Sequence, residues 1–218
     1  MFRNNSILCI SAHMDDIEFG CGGLIHHYAD KADIHVLVLS ADRKSFSGVI
    51  QEVRDAGEQQ DSLKALGLKE SHLFISQGIP GQLFPEYRQA VLEEMYRIDA
   101  LINPDIVITP SIHDVHQDHR TTCRCAQKAF KRKSRLSYEI VNSTEGFLPR
   151  FFLELNPEDI HAKIKAVCCY KSQKDPEITT ADYFDGDIMS GLARMRGARI
   201  GVEYAEAFEV MNIVCKEA

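Results

Sequence analysis

Two short stretches of the 218-residue chain concentrate the side chains that could do chemistry. The first, Ala12-His13-Met14-Asp15-Asp16-Ile17-Glu18, sets one imidazole beside adjacent carboxylates. A tight loop of that composition can supply both metal ligands and a base. The plainer alternative is that Asp15 or Asp16 merely caps the helix that follows. The second stretch, His113-Asp114-Val115-His116-Gln117-Asp118-His119, carries three histidines. Asp118 could be an N-cap, but capping does not account for the imidazoles. Two imidazoles and one carboxylate form a familiar catalytic zinc set, with a position left open for water and substrate. The same set suits Fe(II), whereas calcium or magnesium would want more oxygen donors.

The elements that must position these stretches follow from hydrophobic periodicity. A short β-prone run, Ile7 to Ala12, precedes the first cluster, and the Gly-rich segment Gly20 to Gly23 leads into a helix over about Leu24 to Asp30. Ile34 to Leu39 is a second buried strand, and Val49 to Leu66 has helical spacing with Gly67 as C-cap. His72 to Ser76 reads as a third strand and Tyr87 to Ile102 as an amphipathic helix ended by Asn103-Pro104. A fourth strand over Asp105 to Thr109, a helix over His119 to Lys131 and a strand near Leu136 to Val141 complete the regular part. Beyond it, Asp159 to Tyr170 and Ile188 to Arg196 read as helices, and Ala207 to Val214 as a closing edge strand.

Strands alternating with helices predict a single α/β domain with a Rossmann-like, mostly parallel sheet and helices on both faces. In the strand order 3-2-1-4-5 the first and fourth strands are neighbours, and ligands bind beyond their C-terminal ends. Both clusters emerge there. Convergence on a cleft that the fold already provides is hard to reconcile with capping alone.

Composition narrows the partners. Hydrophobic residues at 44% and charged residues at 26% describe an ordinary globular chain. A formal net charge of -7 disfavours nucleic acid and anionic membrane surfaces. The basic run Lys131, Arg132, Lys133, Arg135 fits a solvated helix end. Seven cysteines without a CxxC pair read as reduced thiols of a cytoplasmic protein. No export signal or membrane insertion is expected, and the sequence leaves room for a homo-oligomer.

At these residues the chain resembles the PIG-L/LmbE family of zinc-dependent de-N-acetylases. Its signatures stand here as AHMDDIEFGCGG from Ala12 to Gly23 and HQDHR from His116 to Arg120. Similarity extends to Glu58 upstream of Leu66-Gly67, the PDIVITP strand, Tyr170-Lys171-Ser172-Gln173 and YAEAF from Tyr204 to Phe208. Met14 departs from the usual Pro or Ala. The resemblance implies His13, Asp16 and His119 as metal ligands, with Zn2+ as the metal, and Asp15 as general base. It implies that His116 is the cationic partner of the oxyanion or the acid for the departing amine, oriented by Asp118, and that His113 is spare. Arg54 lies near a position where relatives carry a substrate-binding Arg. The implied substrate is a small molecule containing an N-acetylated amino sugar. Two alternatives stay open: a metal-dependent hydrolase of another small-molecule amide or ester, and a non-catalytic module whose Gly20 to Gly23 turn cradles a nucleotide phosphate.

Overall fold

The computed structural model describes residues 2–44, 50–53, 56–174 and 184–215, with side chains left aside at 42–44, 50–53 and 174. Its centre is β1 (Ser6–His13), which pairs in parallel with β2 (Asp33–Ser40) on one side and β6 (Ile106–Pro110) on the other. With β5 (Leu73–Ile75) and β7 (Ser134–Tyr138) outside them, the parallel strands run β5-β2-β1-β6-β7, which is the 3-2-1-4-5 order. Two antiparallel strands, β9 (Tyr204–Asn212) and then β8 (Phe151–Leu155), complete the seven-stranded sheet.

The alternation of side chains along β1 divides the core in two. Ile7 and Cys9 pack into the layer formed by α1 (Asp16–Tyr28), α2 (Ala56–Ala65) and α5 (Pro157–Val167), with Leu24, Leu63 and Ala166. Leu8, Ile10 and Ala12 face the opposite layer, α3 (Arg88–Ile102) and α4 (Gln117–Ala129), with Val91, Met95 and Cys125. Burial of β1 on both faces explains its nearly continuous apolar run. The last helix, α6 (Gly186–Ala198), packs beside β9.

Four expectations need correction. Helix α1 begins at Asp16, so Gly20, Gly22 and Gly23 lie inside it rather than in a loop. A Cβ on Gly20 would sit 2.0 Å from Cδ2 of Tyr138, and one on Gly23 2.5 Å from Cδ1 of Leu155. The glycines therefore let the helix backbone approach the sheet, and the turn proposed for a nucleotide phosphate does not exist. The helix is also broken at Cys21 (φ -144°), and the backbone N–H groups of Gly23 and Leu24 donate to the buried Glu206 carboxylate at 2.8 and 2.7 Å.

The helix expected from Val49 starts at Ala56; the β-branched Ile50 and Val53 bound β4 (Ile50–Val53), which pairs with β3 (Asp42–Lys44). Val49 itself lies outside the described residues. The C-terminal strand is not an edge, because β8 covers it. That strand, FFLEL, went unread: its residues are mostly half-buried at the sheet edge, so its alternation is weak. Among the described residues no helix is long and apolar enough to cross a membrane, and all seven cysteines are free thiols.

Candidate metal centre and its surroundings

Strand β1 ends on His13, and the next two residues turn the chain into α1. Asp15 makes that turn at φ 94°, left-handed backbone that a non-glycine residue adopts only where its surroundings impose it. Met14, between His13 and Asp15, is fully buried in the core on the α1 side of the sheet. Asp15 is 8% exposed, and its carbonyl accepts from Glu18 N and Phe19 N at 3.1 and 3.3 Å. Asp16, one residue on, accepts the His13 backbone N–H on Oδ2 at 2.8 Å.

From the neighbouring strand, β6, the loop 111–116 leads into α4, whose N-cap is His116. The cap reverses the usual chemistry: His116 Nδ1 accepts from Asp118 N at 3.2 Å. His119 then falls in the first turn of α4 and points back over the end of β1. Its ring lies 5.3 Å from that of His13 and 4.6 Å from that of His116, centroid to centroid.

Donor groups of three side chains converge here. His119 Nε2 is 3.3 Å from His13 Nδ1 and 3.3 Å from Asp16 Oδ1, and His13 Nδ1 is 3.7 Å from Asp16 Oδ2. Ligands on a tetrahedral Zn2+ at about 2.0–2.1 Å must stand about 3.3–3.4 Å apart, and the two contacts of His119 Nε2 match that spacing; one ligand atom from each of the three residues lies within 4.8 Å of the others. His13, His116 and Asp118 form a second, overlapping group. It is the poorer candidate, because His13 Nε2 is already engaged by Asp118 Oδ2 at 2.8 Å, which leaves Nδ1 as the free ring nitrogen.

A carboxylate stands close to each of the two imidazoles, hydrogen-bonded to the ring only at His13. Asp118 backs His13, and Asp114 Oδ2 lies 3.0 Å from His119 Nδ1, off the ring's N–H axis. Such outer carboxylates set the tautomer and raise the basicity of ligand histidines. The role expected for Asp118 is corrected in one respect: its side chain reaches His13, and only its backbone N–H meets His116. The reason is the loop 80–84, whose Phe84 N–H donates to Oδ1 at 3.1 Å and whose Gln82 N–H donates to Oδ2, turning the carboxylate toward β1. Gln82 holds φ 68° to do so.

Electrostatics follow from this packing. Burial opposes charge on His119, yet Asp16 and Asp114 together push its pKa up to about 10. Burial also opposes ionisation of Asp16, but His119 and His13 outweigh it and hold the carboxyl below its ordinary value. His116 goes the other way, down to about 4, through burial and then the neighbouring His13 and His119. A neutral His116 whose Nδ1 accepts a hydrogen bond carries its proton on Nε2. It can thus donate a hydrogen bond without being a cation, unlike the cationic partner anticipated above.

His113 stands aside, 43% exposed at its side chain and 3.8 Å from Glu209 Oε1. Arg54 lies outside the described residues. Asp114, the other acid of the second cluster, escaped the sequence reading as a histidine partner, although an acid five residues before His119 with no helix to cap was a usable signal.

The GlcNAc-PI de-N-acetylase family model matches residues 8–130, which include both clusters. The chain is 26% identical over 174 residues to YaiS, an uncharacterized deacetylase of Escherichia coli K12, covering 78% of this chain and 92% of that one. Its fold matches the N,N'-diacetylchitobiose deacetylase of Pyrococcus horikoshii with a TM-score of 0.72 at 20% identity, covering 95% and 84% of the two chains. It equally matches GalB, the 4-carboxy-2-hydroxymuconate hydratase of Pseudomonas putida KT2440, with a TM-score of 0.72 at 18% identity over 98% and 99%. At such identities the likeness shows the fold alone, whereas the family model spans more than half of the sequence, so the chain belongs to the PIG-L family of GlcNAc-PI de-N-acetylases.

Proposed function

We propose that this protein is a zinc-dependent hydrolase that removes the N-acetyl group from a small molecule containing an amino sugar, releasing acetate and a primary amine. The observation that carries this reading is the convergence of His13, Asp16 and His119, one ligand atom from each lying within 4.8 Å of the others and His119 Nε2 lying 3.3 Å from both His13 Nδ1 and Asp16 Oδ1. The chemistry a bound Zn2+ supplies is Lewis-acid polarisation of the amide carbonyl and acidification of the attacking water toward a pKa of about 7.

The chain's own residues do the rest. Asp15, adjacent to the ligand Asp16 and fixed by its left-handed backbone, takes the proton from the attacking water. His116, neutral and protonated on Nε2, donates a hydrogen bond to the oxyanion that forms as water adds. Collapse to acetate and amine needs that proton returned to nitrogen, and Asp15 carries it. Asp118 keeps the His13 ring turned so that Nδ1 faces His119 Nε2.

The amino-sugar substrate is supported by family membership and by the chitobiose deacetylase relative. GalB, a hydratase on the same fold, favours a second reading in which the centre serves a different reaction. One experiment separates them: zinc-loaded protein incubated with a panel of N-acetylhexosamine conjugates, with released primary amine measured. Chelator-sensitive amine release is expected. Absence of amine from every conjugate, with zinc bound, sinks the deacetylase reading.

A further inference from the structure

Read as sequence, the basic run Lys131, Arg132, Lys133, Arg135 fits a solvated helix end; folded, its members part ways. Arg135 turns inward, its Nη1 donating to Gln127 O and its Nε to Asn212 Oδ1, both at 2.6 Å. Two more carbonyls at that end of α4 are also taken, Ala126 O by Phe130 N at 2.9 Å and Phe130 O by Lys133 N at 3.0 Å. Lys133 is only 8% exposed. Its Nζ donates to Asn103 Oδ1 and lies 3.5 Å from Asp99 Oδ1, which ties the end of α4 to the end of α3.

Between these helix ends lies a cleft of about 450 Å3, whose lining includes Lys128, Lys131, Arg132, Lys133, Tyr96 and Asp99. That volume suits a small molecule. Asp99 is the counter-charge of Lys133, and its Oδ1 is buried without a hydrogen-bond partner. Among the described residues, no hydrogen bond or ion pair engages the side chains of Lys128, Lys131 and Arg132. Three cations without a counter-ion therefore share one cleft in a chain whose net charge is -7, and an anion among them relieves their mutual repulsion. We propose that this cleft binds a sugar phosphate: Lys128, Lys131 and Arg132 hold the phosphate oxygens, Asp99 Oδ1 accepts a sugar hydroxyl, and the half-exposed ring of Tyr96 flanks the sugar. Helix α4 has 13 residues and so spans about 20 Å between its first turn, which carries His119, and this cleft. The site is thus separate from the metal centre and independent of the deacetylase reading. The competing explanation is that the three cations only face the negative ends of α3 and α4, which calls for no ligand.

Titration calorimetry at fixed ionic strength separates the two, with glucose 6-phosphate, inorganic phosphate, glucose and a short single-stranded oligonucleotide as probes. The proteins are the parent and the double variant Lys131→Ala/Arg132→Ala, both exposed positions whose loss leaves the core untouched. The parent should bind glucose 6-phosphate more tightly than inorganic phosphate and should not bind glucose. The double variant should bind glucose 6-phosphate about 10- to 100-fold more weakly, the effect of losing charged hydrogen bonds, while taking up zinc like the parent. A parent that binds neither phosphate compound, or a double variant that binds glucose 6-phosphate like the parent, overturns the inference. Binding of the oligonucleotide alone also overturns it, since the cations would then serve a polymer. Should the double variant fail to fold, Lys128→Ala takes its place under the same criteria.

Discussion

The carboxylate of Asp118 lies 2.8 Å from Nε2 of His13, a residue 105 positions earlier in the chain. The acid of the second cluster thus serves the imidazole of the first. The same carboxylate accepts backbone N–H groups from Gln82 and Phe84, so the loop 80–84, the His13 imidazole and the first turn of α4 meet at one side chain. Asp118→Asn should therefore weaken zinc binding by about 10- to 100-fold and lower kcat with it. Parallel zinc titration and steady-state kinetics check this; wild-type affinity in the variant would remove Asp118 from the support of His13.

Asp15 and His119 divide the work differently. Asp15→Asn keeps the three donor atoms and should retain zinc while kcat falls about 10²- to 10⁴-fold, the range for loss of a general base. His119→Ala removes a donor and should lose zinc and turnover together. Metal content by mass spectrometry, set beside amine release, distinguishes the two losses. An Asp15→Asn variant as active as the parent would take Asp15 out of the base role.

Gly20 is a packing requirement rather than a phosphate site. A methyl group there meets the Tyr138 ring at 2.0 Å, and that ring is held, since its hydroxyl donates to Ile10 O at 3.0 Å. Gly20→Ala should destabilise the fold by about 1–3 kcal/mol through overpacking. Urea denaturation reads this directly. Unchanged stability would mean that α1 can slide off the sheet without penalty.

Glu18 is fully buried, and its Oε1 accepts from Ser62, Gln59 and the Tyr170 hydroxyl. Burial raises its pKa above 4.5 despite those donors. The sign follows from linkage: the folded protein holds this proton more tightly than the unfolded chain. Stability from Glu18 is therefore intact below the unfolded-state value and declines as pH rises toward the folded one. Glu18→Gln offers the same acceptor without the charge, so its stability relative to the parent should improve between pH 4.5 and pH 8. Denaturation midpoints for both proteins across that range test it; parallel pH profiles would show that Glu18 does not titrate with folding.

Much of this architecture was legible in the chain. Ile7 to Ala12, Ile34 to Leu39 and Asp105 to Thr109 are apolar runs because both faces of a central strand are buried, and the clusters that follow the first and third of these runs come together because β1 and β6 are neighbours. The Gly20 to Gly23 segment misled for a physical reason. Glycine signals a turn when nothing else is known, yet here it marks close approach of a helix to Tyr138 and Leu155. Strand β8 was missed because an edge strand alternates weakly.

The sequence by itself determined which residue types could hold a metal, that they come in two groups, and that the strands ahead of them belong to an α/β sheet. Local composition and hydrophobic period carry that information, since each depends on residues near one another in the chain. Which carboxylate supports which histidine was decided only by the tertiary structure. Asp118 turns to His13 and Asp114 to His119 because the loop 80–84 and the turn at 143–144 supply the remaining hydrogen bonds. Those partners lie about 30 residues away along the chain, at separations no periodicity records.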